Sequence, residues 1–465
     1  MPDIASISHE VTARGGRLAV QTTAAREAVV IDGSEIGESW TFAYTAPRTD
    51  ANRPVVFLFN GGPGCASMWL HLGGLAPWRV DVPSDLNATG SPRRPLVESA
   101  DCVLDVADLV FVDPIGTGFS PSPEAAEHAG ADRDAAATAA IVDGWLRRND
   151  RLGSPVYLVG ESYGTIRAVL AATALRERGV PVAGIALLGQ CLNAQETTQR
   201  PGNIAGFVAA LPFLAATAWY HGRGAHSAEV LDTVVDRAHA FAVGEYAATL
   251  TASLDGIPSA GFLEQLAGFT GLSVDQLRER RARVDKEEFR RLLLADEGVV
   301  VGLTDARYRL PAAPPGAVEP PLDAADVRLD PVFTAALHRL FVDHLGLSGW
   351  DGYRPAVPAH EGWDYLEASA VGRFGGSALP SPFALFDYPA HLAAYLRADP
   401  SARVFVGTGQ FDALTTVGSA RHLLTQYGLP VQRIVERRYP SGHMMYTDAV
   451  SRAALAEDLR AFLTP

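Results

Sequence analysis

The residues with the clearest chemical meaning lie in the stretch VYLVGESYGTIRAVL, where Gly160, Ser162 and Gly164 form a Gly-x-Ser-x-Gly motif. An apolar strand pattern precedes the motif and a helical pattern follows it, and in this context the motif marks a nucleophile. Small residues on both sides permit a sharp turn that lifts the Ser162 hydroxyl clear of the sheet. The backbone N–H of Tyr163 can then point at a developing oxyanion. The motif predicts acyl-transfer chemistry with Ser162 as the nucleophile.

A serine nucleophile needs a general base and a carboxylate that orients the base. Around this motif the partners follow in the order Ser, Asp, His, each after a later strand. Asp412 follows the strand pattern RVFVGTG, and His443 follows QRIVERRYP. The rival base His422 lies within a helical pattern, and the rival acid Asp448 follows the histidine instead of preceding it. We predict Asp412 as the orienting carboxylate and His443 as the base.

A second signal is the glycine turn at residues 60–64, Asn-Gly-Gly-Pro-Gly, directly after the apolar run VVFLF. Glycines at the end of a strand indicate either a positive φ or a close approach to the backbone. A phosphate-binding loop is the alternative, but there is no P-loop lysine and Pro63 removes a backbone donor. A hydrolase with this serine motif needs a second N–H donor from an earlier turn. The turn therefore predicts an oxyanion-binding loop.

Along the chain, continuous apolar runs alternate with helical patterns. Such runs are typical of strands buried on both faces of a parallel sheet. We predict strands at residues 54–59, 107–113, 155–160, 184–189, 403–409 and 432–440. The expected fold is α/β, a doubly wound, mostly parallel sheet. We expect a first core part at 1–190, a helical cap insertion at 191–379, and a second core part at 380–465 that carries the catalytic Asp and His.

The composition, charge and cysteine spacing of the chain argue against several classes of protein. The chain has 465 residues, 48% of them hydrophobic, and a net charge of −14, which argues against a nucleic-acid partner. No apolar run is long enough to span a membrane and no signal peptide is evident, so we expect a cytoplasmic protein. The three cysteines have no metal-ligand spacing. Lys286 is the single lysine among many arginines, which favours a bacterial source with a GC-rich genome.

Five motifs, NGGPGCAS, DPIGTGFS, GESYGT, GQFDALT and GHMMY, stand in the order and near the spacing of the serine carboxypeptidases. On these motifs the chain resembles that family (peptidase family S10, of the α/β-hydrolase superfamily). The phrases FNGGPG, WLHLG and ATAWYHG are most similar to its bacterial branch. The resemblance implies an α/β-hydrolase core with a helical cap. It also implies removal of single residues from peptide C-termini without a metal or cofactor.

The resemblance implies a role for eight residues of this chain. The nucleophile, base and orienting carboxylate would be Ser162, His443 and Asp412. The oxyanion hole would be formed by the backbone N–H groups of Gly62 and Tyr163. The substrate's terminal carboxylate would be held by the Asn60 side chain, the Gly61 N–H and Glu161. Because two carboxylates repel unless one is protonated, Glu161 would need a raised pKa, which favours activity in acid.

The chain departs from the eukaryotic branch at two positions. Gly74 stands where that branch has a second glutamate, and Leu58 stands where it has a tryptophan. Cys65 is present without an evident disulfide partner in the cap. These departures keep open an esterase or acyltransferase that uses the same triad. We therefore expect a peptide or small acyl substrate, and a homodimer is possible.

Overall fold

The computed structural model describes residues 4–47, 52–83, 85–86, 95–120, 129–252, 258–314, 323–347, 352–357, 363–365 and 387–464. Its centre is a nine-stranded sheet in the order β1-β2-β3-β7-β4-β8-β9-β12-β13. Two further two-stranded sheets pair β5 with β6 and β10 with β11. The strands are β1 Ile4–Ala13, β2 Gly16–Ile31, β3 Ser34–Thr45, β4 Val55–Phe59, β5 Trp78–Val80, β6 Leu96–Glu98, β7 Asp108–Asp113, β8 Val156–Glu161, β9 Val182–Leu188, β10 Val299–Val301, β11 Arg309–Pro311, β12 Arg403–Gly409 and β13 Ile434–Tyr439.

The six predicted strands are all present and run parallel to their neighbours from β7 across to β13. The sequence analysis named no strand before residue 54, whereas β1, β2 and β3 form an antiparallel meander that joins β7. Buried and exposed residues alternate along much of β2. This pattern belongs to a half-exposed strand, and a search for continuous apolar runs passes over it. The mostly parallel sheet confirms the predicted fold class.

Helices cover both faces of the sheet. One face packs against α2, α3 and α12, and the other against α11 and α14. Successive residues of β4 alternate between the two faces: Val55, Phe57 and Phe59 join one core, and Val56 and Leu58 join the other. The helices are α1 Met68–His71, α2 Ala131–Arg148, α3 Tyr163–Glu177, α4 Ala194–Thr197, α5 Ile204–Tyr220, α6 Leu231–Phe241, α7 Ala247–Ala252, α8 Ala260–Thr270, α9 Val274–Glu279, α10 Lys286–Leu292, α11 Ala324–Arg339, α12 Tyr388–Ala398, α13 Val417–Gln426 and α14 Ala449–Leu463.

The region predicted as a helical insertion is mostly helical where it is described. Helices α5 to α10 enclose an apolar core of their own, which also contacts Phe411 and Ala413 beyond β12. Two features differ from a purely helical cap: the short β10–β11 pair, and α11, whose Leu329 and Phe333 belong to the apolar core on one face of the sheet. The predicted boundary at 379/380 lies outside the described residues.

Candidate active site

The Gly-x-Ser-x-Gly segment forms a sharp turn between β8 and α3. Ser162 has φ +58°, in the left-handed region that non-glycine residues rarely occupy. A Cβ atom at position 160 would lie 2.0 Å from the Gly164 carbonyl oxygen, and one at position 164 would lie 2.7 Å from the Phe59 oxygen. Because only glycine fits at both positions, the turn holds Ser162 in this conformation at the N-terminus of α3.

Asp412 and His443 meet at the carboxyl ends of β12 and β13. His443 Nδ1 lies 2.7 Å from Asp412 Oδ2. The other carboxylate oxygen accepts the backbone N–H groups of Leu414 and Thr415 at 2.7 and 3.0 Å. A carboxylate in this position keeps the proton of the imidazole on Nδ1, which leaves Nε2 free to accept one. His443 and Ser162 line the same cavity.

The two alternative residues, His422 for the base and Asp448 for the carboxylate, lie outside this site. His422 lies in α13, partly buried, with Nδ1 3.3 Å from Asn193 Nδ2. Asp448 caps α14 by accepting the Ser451 N–H at 2.8 Å, and it pairs with Arg307 at 3.2 Å. Neither residue lines the cavity that holds Ser162.

The glycine turn packs against the serine turn. A Cβ atom at position 61 would lie 2.5 Å from the Tyr163 nitrogen and 2.8 Å from Ser162 Cβ. Arg167, fully buried, donates to the Asn60 carbonyl at 2.6 Å and pairs with Asp134 at 2.8 Å. Arg167 therefore holds the first residue of the glycine turn in place. The close approach of backbone to backbone explains the glycines.

Glu161 and Asn60 form a polar pair in the wall of this cavity. Asn60 Nδ2 donates to Glu161 Oε1 at 2.9 Å, and Asn60 Oδ1 accepts the Leu70 N–H at 3.0 Å. Glu161 is 4% exposed, and besides Asn60 the Tyr446 hydroxyl is a hydrogen-bond partner of its carboxylate. Burial raises the pKa of Glu161 to about 7, although His443, Tyr446 and Asn60 act in the opposite direction. The group can thus carry a proton near neutral pH and offer it to a ligand oxygen.

His443 is surrounded by carboxylates. Burial by itself lowers the pKa of its imidazole, but the charge and hydrogen bond of Asp412, with the charges of Glu161 and Asp326, raise the pKa to about 9. The imidazolium form is therefore stabilised while the neighbouring carboxylates are ionised. The same interactions would stabilise an imidazolium formed when the imidazole takes a proton from a neighbouring group.

Two cavities meet at Ser162, Gly62 and Leu414. The smaller, of about 370 Å³, is the acidic cavity: Asn60, Glu161, Asp326, Asp330 and His443 lie in its wall. The larger, of about 600 Å³, is the apolar cavity, lined by residues such as Ile166, Leu192, Tyr365 and Tyr388. The nucleophile candidate is thus open to a substrate on two sides.

The acidic cavity is also lined by three residues that no sequence pattern predicts as part of a site: Trp69, Asp326 and Asp330. Asp326 and Asp330 have the i, i+4 spacing of one helix face, and that spacing is visible in the sequence. Nothing in the sequence shows that this face of α11 meets the serine turn, because the two lie more than 150 residues apart.

Gly74, at the position of the second glutamate in the eukaryotic branch, is not among the described residues that line the acidic cavity. It has φ +110°, and a Cβ atom there would lie 2.4 Å from Arg452 Cδ. Arg452 is held by Asp101 at 2.8 Å, and the Gly74 carbonyl accepts the Ser99 hydroxyl at 2.5 Å. A side chain at this position would have to displace the Arg452 side chain.

One loop of the insertion, residues 303–307, contacts both the Asp412 loop and the His443 loop. Its Leu303 carbonyl accepts the Ala413 N–H at 3.0 Å, beside Asp412. Its Thr304 carbonyl accepts the His443 N–H at 2.7 Å. We call this segment the clamp loop. Because it bonds to both loops, it sets the position of the imidazole relative to its carboxylate.

A buried ion pair supports the clamp loop. Asp305 Oδ2 accepts the Gly442 N–H at 3.1 Å, next to His443, and pairs with Arg307 at 2.7 Å. Arg307 donates in turn to the Pro440 carbonyl at 2.9 Å. The pair therefore ties the clamp loop to the turn between β13 and His443.

Within the described part of the chain, no group of three or more His, Cys, Asp or Glu side chains could hold a metal ion. Cys65, Cys102 and Cys191 are all free thiols. No helix in the same described part is long and apolar enough to cross a membrane.

Comparisons with known proteins point to one family. Residues 33–178 match the family model described as serine carboxypeptidase. The match covers β3 to α3, and with it the glycine turn and the serine turn.

Two curated relatives are similar to part of the chain. The pheromone-processing carboxypeptidase KEX1 of Meyerozyma guilliermondii is 38% identical over 87 residues, 18% of this chain and 12% of the relative. Serine carboxypeptidase-like 20 of Arabidopsis thaliana is 27% identical over 142 residues, 30% of this chain and 28% of the relative. The chain thus matches less than a third of either relative's length. Both are eukaryotic, so the bacterial branch stays a prediction.

The crystal structure of KEX1(delta)p, a prohormone-processing carboxypeptidase from Saccharomyces cerevisiae, is similar with a TM-score of 0.52. It is 13% identical, and the similarity covers 94% of this chain and 91% of that one. At this identity the likeness concerns the fold, which is that of an α/β-hydrolase. Together the comparisons show that residues 33–178 are similar to the serine carboxypeptidases and that the chain has an α/β-hydrolase fold.

Proposed function

We propose that the protein is a serine carboxypeptidase in which Ser162, His443 and Asp412 act as a catalytic triad. His443 Nε2 takes the Ser162 proton as the serine oxygen attacks the scissile carbonyl, and Asp412 stabilises the imidazolium. The acyl-enzyme forms as His443 returns the proton to the leaving amine. Water then attacks the acyl carbonyl and gives a proton to His443, which passes it to the Ser162 oxygen as the shortened peptide leaves.

The oxyanion would be stabilised by the backbone N–H groups of Gly62 and Tyr163. The approach of the glycine turn to the first residue of α3 supports this role, because both donors belong to rigid backbone. The terminal carboxylate of the substrate would be bound by Asn60, the Gly61 N–H and protonated Glu161. A protonated carboxyl can donate a hydrogen bond to a carboxylate, so a pKa of about 7 suits Glu161 to this task.

The observation that carries the proposal is the pairing of His443 Nδ1 with Asp412 Oδ2 at 2.7 Å, in a cavity shared with Ser162 and Glu161. The pairing supplies an oriented base for the serine, and Glu161 distinguishes a carboxylate-binding hydrolase from a general esterase. An esterase or acyltransferase with the same triad has no particular support from the comparisons.

The test is amino-acid release from N-blocked dipeptides, each with a free and an amidated C-terminus, measured across neutral and alkaline pH. We expect release from the free-carboxylate forms alone, and none with Ser162→Ala. Hydrolysis of simple esters without release from either peptide form would replace the carboxypeptidase proposal with an esterase.

A further inference from the structure

The single lysine of the chain lies beside the Asp412 loop. Of the 39 lysine and arginine residues, only Lys286 is a lysine. It is the first residue of α10, in the insertion, and its ammonium group donates to the Ala413 carbonyl, 127 residues further along the chain. Ala413 directly follows Asp412. A cation of the insertion therefore contacts the loop of the orienting carboxylate.

Two neighbouring side chains fix the backbone around Lys286. Gln199 Oε1 accepts the Lys286 N–H at 2.8 Å. Asp285 caps α10 by accepting the Glu287 N–H at 2.8 Å. Lys286 itself is partly buried. Because the backbone is already fixed, only the side-chain torsions of the lysine have to be ordered for its ammonium group to reach the Ala413 carbonyl.

The carboxylate of Asp412 is buried and accepts hydrogen bonds at both oxygens. His443 Nδ1 and the Thr415 hydroxyl share Oδ2, at 2.7 and 2.5 Å. The backbone N–H groups of Leu414 and Thr415 bind Oδ1. Among these donors only His443 can carry a charge, so Lys286 brings a second cation to this loop.

Asp412 is the strongest charge partner of Lys286. Burial lowers the pKa of the ammonium group, while the charges of three carboxylates raise it. The contribution of Asp412 exceeds those of Asp285 and Glu287, although these two residues adjoin Lys286 in the chain. Opposite charges stabilise each other, so the ammonium group helps to keep Asp412 ionised.

The same positive charge acts on the base through Asp412. The carboxylates of Asp412, Glu161 and Asp326 stabilise the imidazolium form of His443 and raise its pKa to about 9. A cation near Asp412 opposes this effect, because it repels the imidazolium and weakens the attraction of the carboxylate for it. Lys286 therefore limits how strongly His443 retains a proton, and more of the imidazole is neutral and able to act as a base.

We propose that Lys286 is a positioning residue of the triad, which fixes the Ala413 carbonyl and balances the charge of Asp412. The inference rests on the proposed function, in which Asp412 orients His443 as the base for Ser162. A lysine suits this place because its ammonium group is a compact point charge, whereas the arginines used elsewhere in the chain carry a larger planar group. The insertion thus contributes a charge to the reaction.

The test is the pH dependence of hydrolysis of a neutral ester by the wild type and three variants of Lys286. Lys286→Met keeps an unbranched side chain without the charge, and Lys286→Gln keeps a donor for the Ala413 carbonyl. Both should raise the midpoint of the acid limb by about half a pH unit or more, because His443 then holds its proton to higher pH. Lys286→Arg, which keeps the charge, should return the midpoint towards the wild-type value.

The matched control is Arg291→Met, which removes a cation from the same helix, where Arg291 forms an exposed pair with Glu287 at 3.3 Å. It should leave the midpoint unchanged. An unmoved midpoint in both uncharged variants of Lys286 would overturn the inference. So would an equal shift in Arg291→Met, since the effect would then come from net charge alone. A wild-type protein that shows no hydrolysis dependent on Ser162 would instead count against the proposed function itself.

Discussion

The backbone N–H of His443 donates to the carbonyl of Thr304 over 2.7 Å, so a residue of the insertion holds the loop of the candidate base. The histidine and its carboxylate come from the last eighth of the chain, yet their loops are fastened by residues 303–307. The insertion therefore takes part in building the site as well as covering it.

The buried pair of Arg307 with Asp305 should matter for both stability and rate. Breaking a buried ion pair leaves an uncompensated charge, so Arg307→Gln should lower the free energy of unfolding by about 3 kcal/mol. It should also lower kcat more than it raises KM, because the turn before His443 loses the hydrogen bond between Arg307 and the Pro440 carbonyl. Denaturant unfolding and steady-state kinetics measure the two effects.

The control for that variant is Arg309→Gln, two residues along, whose pair with Glu297 is exposed. A surface pair contributes about 1 kcal/mol or less, so this variant should be close to the wild type. Equal effects from the two arginines would show that the clamp loop does not position the base.

The pH profile should be bell-shaped for a peptide with a free carboxylate. The productive form has a neutral His443 and a protonated Glu161. It holds one proton in total, as does the ionised pair of His443 imidazolium and Glu161 carboxylate. Below about pH 7 both groups hold a proton and His443 cannot act as a base. Above about pH 9 both have lost it and Glu161 repels the substrate carboxylate. We expect kcat/KM to be highest between these values, and an optimum near pH 5 would contradict this assignment.

Glu161→Gln should shift the ester profile to lower pH. The Glu161 carboxylate helps to raise the pKa of His443, so its removal lowers that pKa and the base becomes neutral at lower pH. The measurement is the pH dependence of hydrolysis of a neutral ester, which needs no carboxylate binding. Glu98→Gln, on β6 and outside the cavity, is the control. An unmoved midpoint would mean that the two groups do not interact.

Gly61→Ala should abolish most of the activity. The added methyl group would lie 2.5 Å from the Tyr163 nitrogen, so the glycine turn must move away from α3. Loss of one oxyanion donor costs about 100-fold or more in kcat. The control is Gly153→Ala, where nothing lies within 4 Å of the new atom. Normal kcat in Gly61→Ala would exclude the glycine turn from the oxyanion hole.

Gly74→Ala should destabilise the fold, and Gly74→Glu should not create a second carboxylate-binding group. The new Cβ atom would clash with Arg452 at 2.4 Å and would also be strained at φ +110°. Overpacking of this kind costs about 1–3 kcal/mol. Gly179→Ala separates the two causes, because its φ is +80° with open space around it. If Gly74→Ala and Gly179→Ala lower the free energy of unfolding by the same amount, the contact with Arg452 does not contribute to the loss.

Several features of the site were already clear from the sequence. Continuous apolar runs located the six parallel strands, because a strand buried on both faces can expose no polar side chain. The order of Ser162, Asp412 and His443 after successive strands indicated that they meet, since parallel strands present their carboxyl ends at one edge. The glycines lie in two turns that each follow a strand, and this position already indicated a sharp turn and a close approach of the backbone.

The tertiary structure decided what surrounds these residues. Residues far apart in the chain come together only through packing, so no local pattern records that Thr304 holds His443 or that Asp326 faces Ser162. The same holds for the pKa values of Glu161 and His443, because they depend on burial and on the distances between charges. The sequence by itself determined which groups could react, through residue type and strand order. The fold decided which charges they meet, because electrostatic interactions depend on separation in space and not along the chain.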